Sequence, residues 1–455
     1  MSKKSQLEVE TGRGKSEATE STPLVPKGGV DTGDGGGNPH KDGDGSRGLS
    51  VRQTAILVAG EMAGSGVLAL PRALVKTGWV GVPIIIVMCL IAAFSGKRLG
   101  DCWTMVEGRN PNMRTRKRNP YAIIAGEALG PMWSVVVSLA LVVTQFGMSV
   151  VYLLLAAQII EQIFLALMPN ITLCVWYLVV GAGVSPLLLF GTPRDFSLLG
   201  FIAFVSTVVA CLLYFIQMMN DIKPFVFRWG IHGFTDFFLA FGTIMFAFGG
   251  ASSFPTIQND MTDRSKFNTS LKYSFSAILA LYLPIAIAGY AVYGEAVAPN
   301  ISASLTATPL TLVGNVLMTV HLLAAFIILV NPVCQEMEEL YNVPTDSVGY
   351  RTLVRLSIIA GILFIGESIP RFYTILALVG GTTIALLTFV LPSYCYLSLL
   401  SKGPAEGQAP FATSGWTKLF CWEVIVVGVV GGAFASYSAL SAIFSTAQAV
   451  PCYLR

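Results

Sequence analysis

Two glycine clusters, each running into a proline, carry the polar chemistry of this sequence: Gly60-Glu-Met-Ala-Gly64-Ser65-Gly66-Val-Leu-Ala-Leu-Pro71 and Phe246-Ala-Phe248-Gly249-Gly250-Ala251-Ser252-Ser253-Phe254-Pro255. Glycine costs about 1 kcal/mol and proline about 3 kcal/mol inside a helix, so two such clusters call for compensation. Both fall in the middle of apolar stretches long enough to cross a bilayer, where unpaired backbone is tolerated only beside protein or a water-filled cavity. The spacing therefore predicts two broken helices around a cavity. Where a helix restarts, its free N–H groups attract an anion such as a carboxylate, and the free C=O groups on the other side of the break attract an ammonium. A zwitterion presents both charges. Close packing of small residues is the competing reading for either cluster taken alone, but the matched pair favours a site.

Two ionisable residues within apolar spans add to this chemistry. Glu61 lies inside the first cluster, where an ionised carboxylate is costly and usually functional or paired. Burial favours its protonated form, which makes it a candidate proton carrier. His321 is the second candidate, because imidazole titrates near physiological pH. A hydrogen-bonded structural carboxyl and a satisfied interface histidine are the corresponding bland readings.

The elements that must position these groups are membrane helices. The 455 residues are 54% hydrophobic and 12% charged, with a mean hydropathy of +0.67, against about 25% charged in soluble domains. Eleven stretches of spanning length occur, at about 53–75, 79–101, 132–164, 172–191, 197–219, 234–258, 270–293, 308–334, 352–369, 372–399 and 421–446. The fold class expected is all-α and polytopic. The two clusters sit five spans apart, at equivalent places in spans one to five and six to ten. An inverted 5+5 repeat with a midplane site, plus one extra C-terminal helix, is the arrangement that spacing suggests.

Three regions follow: a tail over 1–50, a transmembrane domain over 51–446 and a short non-cytoplasmic tail over 447–455. The first is rich in Gly, Ser, Asp, Lys and Thr, and is expected to be disordered. No basic start with a short apolar core marks a cleaved signal, so the first span is expected to target the chain. Glu20-Ser-Thr-Pro-Leu24-Val25 loosely resembles an acidic dileucine sorting signal. With a cytoplasmic N-terminus, 23 of the 29 Lys and Arg fall on the cytoplasmic side. The sequons at Asn170 and Asn300 then lie outside and that at Asn268 inside, so a glycan is expected on Asn170 or Asn300. Arg72 is read as snorkelling to the outer surface, and Glu336, Glu338 and Glu339 as a solvated cytoplasmic helix end. The eight cysteines show no metal spacing; Cys89 and Cys211 read as small buried side chains. Cys174 and Cys452 share the outer face, which leaves a disulfide open.

Four segments together resemble the amino acid/auxin permease family: GSGVLALP at 64–71, TQFGMSVVYLLLAAQ at 144–158, FAFGGASSFPTIQNDM at 246–261 and VHLLAAFIILVNPV at 320–333. The resemblance covers about residues 50 to 446. It implies the fold of the bacterial leucine transporter and movement of amino acids or related zwitterions, usually with protons and sometimes with sodium. It further implies that Gly64, Ser65 and Gly66 give backbone contacts to the substrate carboxylate. Gly249, Gly250 and Ala251 would line the other unwound segment, Phe248 or Phe254 would act as an aromatic lid, and Tyr152 would face the substrate; an ordinary packed aromatic is its bland reading. The chain departs from many relatives in having Gly249 where they carry Glu, which is expected to widen or reshape the pocket. Sodium-binding relatives place hydroxyls in the eighth helix and Asn at the position of Gly60. His321 to Val330 has no Ser or Thr, so proton coupling is the better expectation and sodium coupling the alternative.

Other classes fare worse. There is no H-E-x-x-H, nucleophile elbow or phosphate-binding glycine-lysine loop, so no enzyme, cofactor or metal is indicated. The basic residues form no nucleic-acid-binding face, and no ring of charges suggests a channel. An amino acid sensor that keeps the fold without transporting is the main rival. Glycine, alanine and serine with aromatic covers suggest a small neutral substrate. The plasma membrane and a lysosomal or vesicular membrane are both compatible, with lipid as the surrounding partner.

Overall fold

A computed structural model gives the fold and describes residues 48–109, 119–189, 196–222, 233–344, 347–404, 413–444 and 450–454. The sorting-like segment at Leu24 and Val25 lies outside them. All eleven apolar stretches are helical. The first splits into α1 (Val51–Met62) and α2 (Ser65–Thr77), and is followed by α3 (Gly81–Arg109). After α4 (Pro120–Leu129) come α5 (Pro131–Phe164), α6 (Leu173–Leu189) and α7 (Phe196–Asn220). The sixth stretch splits into α8 (Phe234–Ala247) and α9 (Phe254–Asn259), followed by α10 (Phe267–Tyr293), α11 (Pro309–Leu340) and α12 (Val348–Ser368). The tenth comprises α13 (Phe372–Val379), a π-helical stretch (Gly380–Val390) and α14 (Leu391–Ser401), and α15 (Gly415–Phe444) is the last. Among the described residues, eight helical segments are long and apolar enough to cross a bilayer unaided, while Leu173–Leu188 and Phe234–Ala247 are apolar but shorter.

Local chemistry sets the boundaries. Ser50 caps α1 through a reciprocal box with Gln53, so the helix starts where the apolar run does. Just before it, Leu49 N–H donates to the Asp260 carbonyl at 2.8 Å and Thr262 N–H donates to the Leu49 carbonyl at 3.1 Å. These bonds tie the entry of the first span to the exit of the sixth. The short α4 was not expected. Asn119 caps it and Pro120 opens it, and the Tyr121 hydroxyl donates to the Leu387 carbonyl at 2.5 Å. Ten residues are too few to span a membrane, and a hydropathy reading passes over them.

Charged residues at the helix ends are more engaged than expected. Glu338 is not a freely solvated helix end. It pairs with Arg355 at 2.7 Å and Arg351 at 3.4 Å, and Arg355 also donates to the carbonyl of Leu188 at 2.6 Å. Arg72 extends to the segment after α10, where it donates to the carbonyls of Val297 at 2.9 Å and Glu295 at 3.2 Å. Lys76 at the end of α2 pairs with Asp236 in the first turn of α8 at 2.9 Å; each charge sits at the helix end whose dipole it complements.

Cys174 and Cys452 form a disulfide across 278 residues. Cys89 and Cys211 are buried thiols, as expected. Beside the bridge, the ring of Tyr453 stacks on Phe364 with centroids 6.2 Å apart.

The two expected glycan acceptors part company. Asn170 is exposed. Asn300 is 2% exposed, and its side-chain oxygen accepts the Ser302 N–H at 3.1 Å. A glycan needs space around the amide nitrogen, so Asn170→Gln is expected to remove the glycosidase-sensitive mobility shift and Asn300→Gln to leave it; the reverse pattern would contradict this packing.

Candidate functional site

The two breaks face each other. Helix α1 ends at Met62, and Ala63 (φ −75°, ψ 78°) and Gly64 (φ −135°, ψ −135°) carry the chain out of helical geometry before α2 restarts at Ser65. Helix α8 ends at Ala247, and residues 248–253, with Gly249 and Gly250 in irregular backbone between turns, lead to α9. A Cβ added to Gly66 would lie 2.7 Å from Ala247 Cα, and one on Gly250 would lie 2.5 Å from Met62 Cγ. At Gly66 the obstacle is backbone, so only glycine allows that approach, and at Gly250 it is the Met62 side chain; both clusters thus combine close packing with a break in the helix.

The freed backbone is partly satisfied. The Met62 carbonyl, which has lost its helical partner, accepts the Tyr282 hydroxyl from α10 at 2.6 Å. The N-terminus of α2 has no side-chain cap, and the fully buried Ser65 has the Tyr152 hydroxyl as its polar neighbour. Tyr152 of α5 reaches this terminus. A Cβ on Gly64 would run into the Tyr152 hydroxyl and lie 2.8 Å from its Cζ.

His321 of α11 completes the cluster. Its Nδ1 lies 2.9 Å from the carbonyl of Ala203 in α7. A carbonyl can only accept, so Nδ1 carries the proton in the neutral ring and Nε2 presents a lone pair. That Nε2 has no partner although the residue is 1% exposed, and it lies 3.3 Å from where a Cβ on Gly64 would be. The Tyr152 and His321 rings stand 6.1 Å apart. Glu61, one residue before Met62, is half-buried.

Of the two candidate lids, Phe248 packs on Tyr282 with ring centroids 5.7 Å apart, beside the capped Met62 carbonyl. Phe254 fits under Gly250, 3.3 Å from where a Cβ there would be, and its ring meets Phe267 and Phe275. Ala251 is fully buried. Of the widened or reshaped surroundings expected at Gly249, the structure fits the reshaped ones. Ile384, from the π-helical stretch, takes the volume, with Cδ1 and Cγ2 each 2.7 Å from where a Cβ on Gly249 would lie. Sequence reasoning missed Ile384 and Tyr282. The Gly380-Gly381 doublet in the tenth span was the available signal for the first, and nothing marked the second among the chain's 15 tyrosines.

A bundle of this kind, with the first and sixth spans broken opposite each other, has solved counterparts. The crystal structure of MhsT in complex with L-phenylalanine is similar over 87% of this chain and all of that one, with a TM-score of 0.53 and 14% identity. The manganese transporter of Eremococcus coleocola is similar over 90% of this chain and 93% of that one, with a TM-score of 0.55 and 12% identity. The fold is thereby defined: an all-α bundle of the leucine-transporter type. Residues 47–440 match the family described as transmembrane amino acid transporter protein, and the chain belongs to it. Among curated relatives, amino acid transporter AVT1D of Arabidopsis thaliana is 25% identical over 86% of this chain and 70% of its own length. The vesicular GABA transporter of Caenorhabditis elegans is 22% identical over 89% of this chain and 82% of its own. Family and fold make this a multi-pass integral membrane protein that transports amino acids, and neither is that of an enzyme.

Proposed function

We propose that the chain is a proton-coupled symporter of small neutral amino acids that works by alternating access around the facing breaks. In this reading the substrate carboxylate sits at the open N-terminus of α2, held by the N–H groups of Ser65 and Gly66, the Ser65 hydroxyl and the Tyr152 hydroxyl. A helix N-terminus favours negative charge there. The ammonium faces the unwound backbone of Gly249, Gly250 and Ala251, with Phe248 above it and Phe254 beneath.

The observation that carries proton coupling is the buried, unpartnered Nε2 of His321 beside Gly64. Protonation there adds a donor at the edge of the carboxylate site, so proton and substrate favour each other's binding, as linkage requires. Glu61 is the second carrier, on the opposite side of the same break. The orientation we propose puts the N-terminus in the cytoplasm; the disulfide between Cys174 and Cys452 supports it, because such bonds persist in oxidising compartments.

The test is counterflow and uptake of labelled amino acids in proteoliposomes at acidic and neutral pH, with and without sodium. Acid stimulation independent of sodium is expected, and His321→Gln is expected to remove most of it. Unchanged pH dependence in both His321→Gln and Glu61→Gln would eliminate these residues as carriers. Binding without exchange would make the protein a sensor.

A further inference from the structure

We propose that Ile384, in the π-helical stretch of the tenth span, sets the size of substrate side chain the transporter accepts. The proposal rests on the reading of the facing breaks as the substrate site. Position 249 lies in the unwound segment of the sixth span, yet it has no side chain of its own to shape the site. The neighbouring span supplies one. Three carbons of Ile384 come within 2.7 to 3.1 Å of the point where a Cβ on Gly249 would be, and Ile384 is 2% exposed. The two positions are therefore a complementary pair, in which one residue gives up the volume the other fills.

The backbone places Ile384 there by an unusual route. Residues Gly380–Val390 wind as a π-helix, a rare form frequently found at functional sites. Its first turn is held rigidly. A Cβ on Gly380 would strike the carbonyl of Gly242 in α8, and one on Gly381 would lie 2.8 Å from Ala435 Cβ in α15. Ile384 follows at once, so a branched aliphatic wall is fixed against the break rather than hung on a loop. Such a wall offers no counter-charge and little free volume. The chemistry it fits is an amino acid with a short, uncharged side chain.

The experiment measures competition between alanine, leucine and phenylalanine for uptake into proteoliposomes by the native chain, Ile384→Val and Ile384→Ala. One methylene in an apolar pocket changes selectivity by about 10-fold or more. The preference for leucine over alanine is expected to rise by at least about 10-fold in Ile384→Ala and by less, in the same direction, in Ile384→Val. The double variant Gly249→Ala with Ile384→Ala should return toward native preference and transport better than Gly249→Ala alone, since the lost volume is handed back. Thermal melts of purified protein establish that each variant is folded, and Ile384→Val removes so little that it retains the packing. An unchanged preference in both folded Ile384 variants overturns the assignment and leaves the transport reading intact. Absence of uptake of any amino acid by the native chain overturns the transport reading and this proposal with it.

Discussion

Gly64→Ala is expected to cut uptake on the order of 100-fold while leaving the protein folded, because a displacement of about 1 Å in a binding site of this kind costs that much. The added methyl would collide with the Tyr152 hydroxyl and crowd the His321 Nε2 at 3.3 Å. Three partners of the proposed carboxylate site would have to part together. Tyr152→Phe in the same chain removes the worst of the collision together with a proposed carboxylate ligand, so the double variant should exceed Gly64→Ala and stay below Tyr152→Phe alone. Initial rates of alanine uptake, normalised to the amount of reconstituted protein, provide the check. Native rates in Gly64→Ala would mean that the first break does not form the site.

The largest effect on stability should come from the far end of the eighth and ninth spans. The Arg355 side chain is 4% exposed and that of Glu338 13%. Removing one partner of a buried pair typically costs about 3–5 kcal/mol, because the other charge stays behind without compensation. Arg355→Ala is therefore expected to lower the unfolding free energy in detergent by about that amount. Arg351 softens the loss, since it also reaches Glu338 at 3.4 Å, but it is 35% exposed and cannot replace the bond to the Leu188 carbonyl. Arg355→Lys keeps the charge without the planar fork and should fall between the two. A loss below about 1 kcal/mol would place this pair among ordinary surface ion pairs.

How much of this could be read from residue order alone depends on the range over which each feature is determined. Hydropathy is local, and the eleven spans were legible because each needs only its own run of apolar residues. The breaks were legible for the same reason. Glycine and proline act on the backbone where they stand, and Gly64 and Gly249-Gly250 lie at the predicted interruptions. The convergence of Tyr152 and His321 on Gly64 was not legible from spacing. It depends on α5 and α11 passing the same break, 169 residues apart in sequence, and came within reach only through likeness to known transporters. Ile384 shows the limit most clearly. The substitution of Gly for Glu at position 249 reads locally as an emptied pocket, but a span 135 residues later refills it through a π-helical turn that hydropathy does not register. Glu338 was misread in the same way, since a carboxylate at a helix end looks solvated until Arg355 is brought against it.

The half-helices α2 and α8 touch at both extremities. At one end Gly66 lets their backbones meet at Ala247, and at the other Lys76 reaches Asp236. In the proposed cycle, two rods pinned in this manner are expected to move together as a single lever. If the outer mouth opens, probes placed on this pair should keep a constant separation throughout the cycle while both swing away from α5, so the moving unit has the stiffness of two helices and the hinge is confined to the few residues at each interruption.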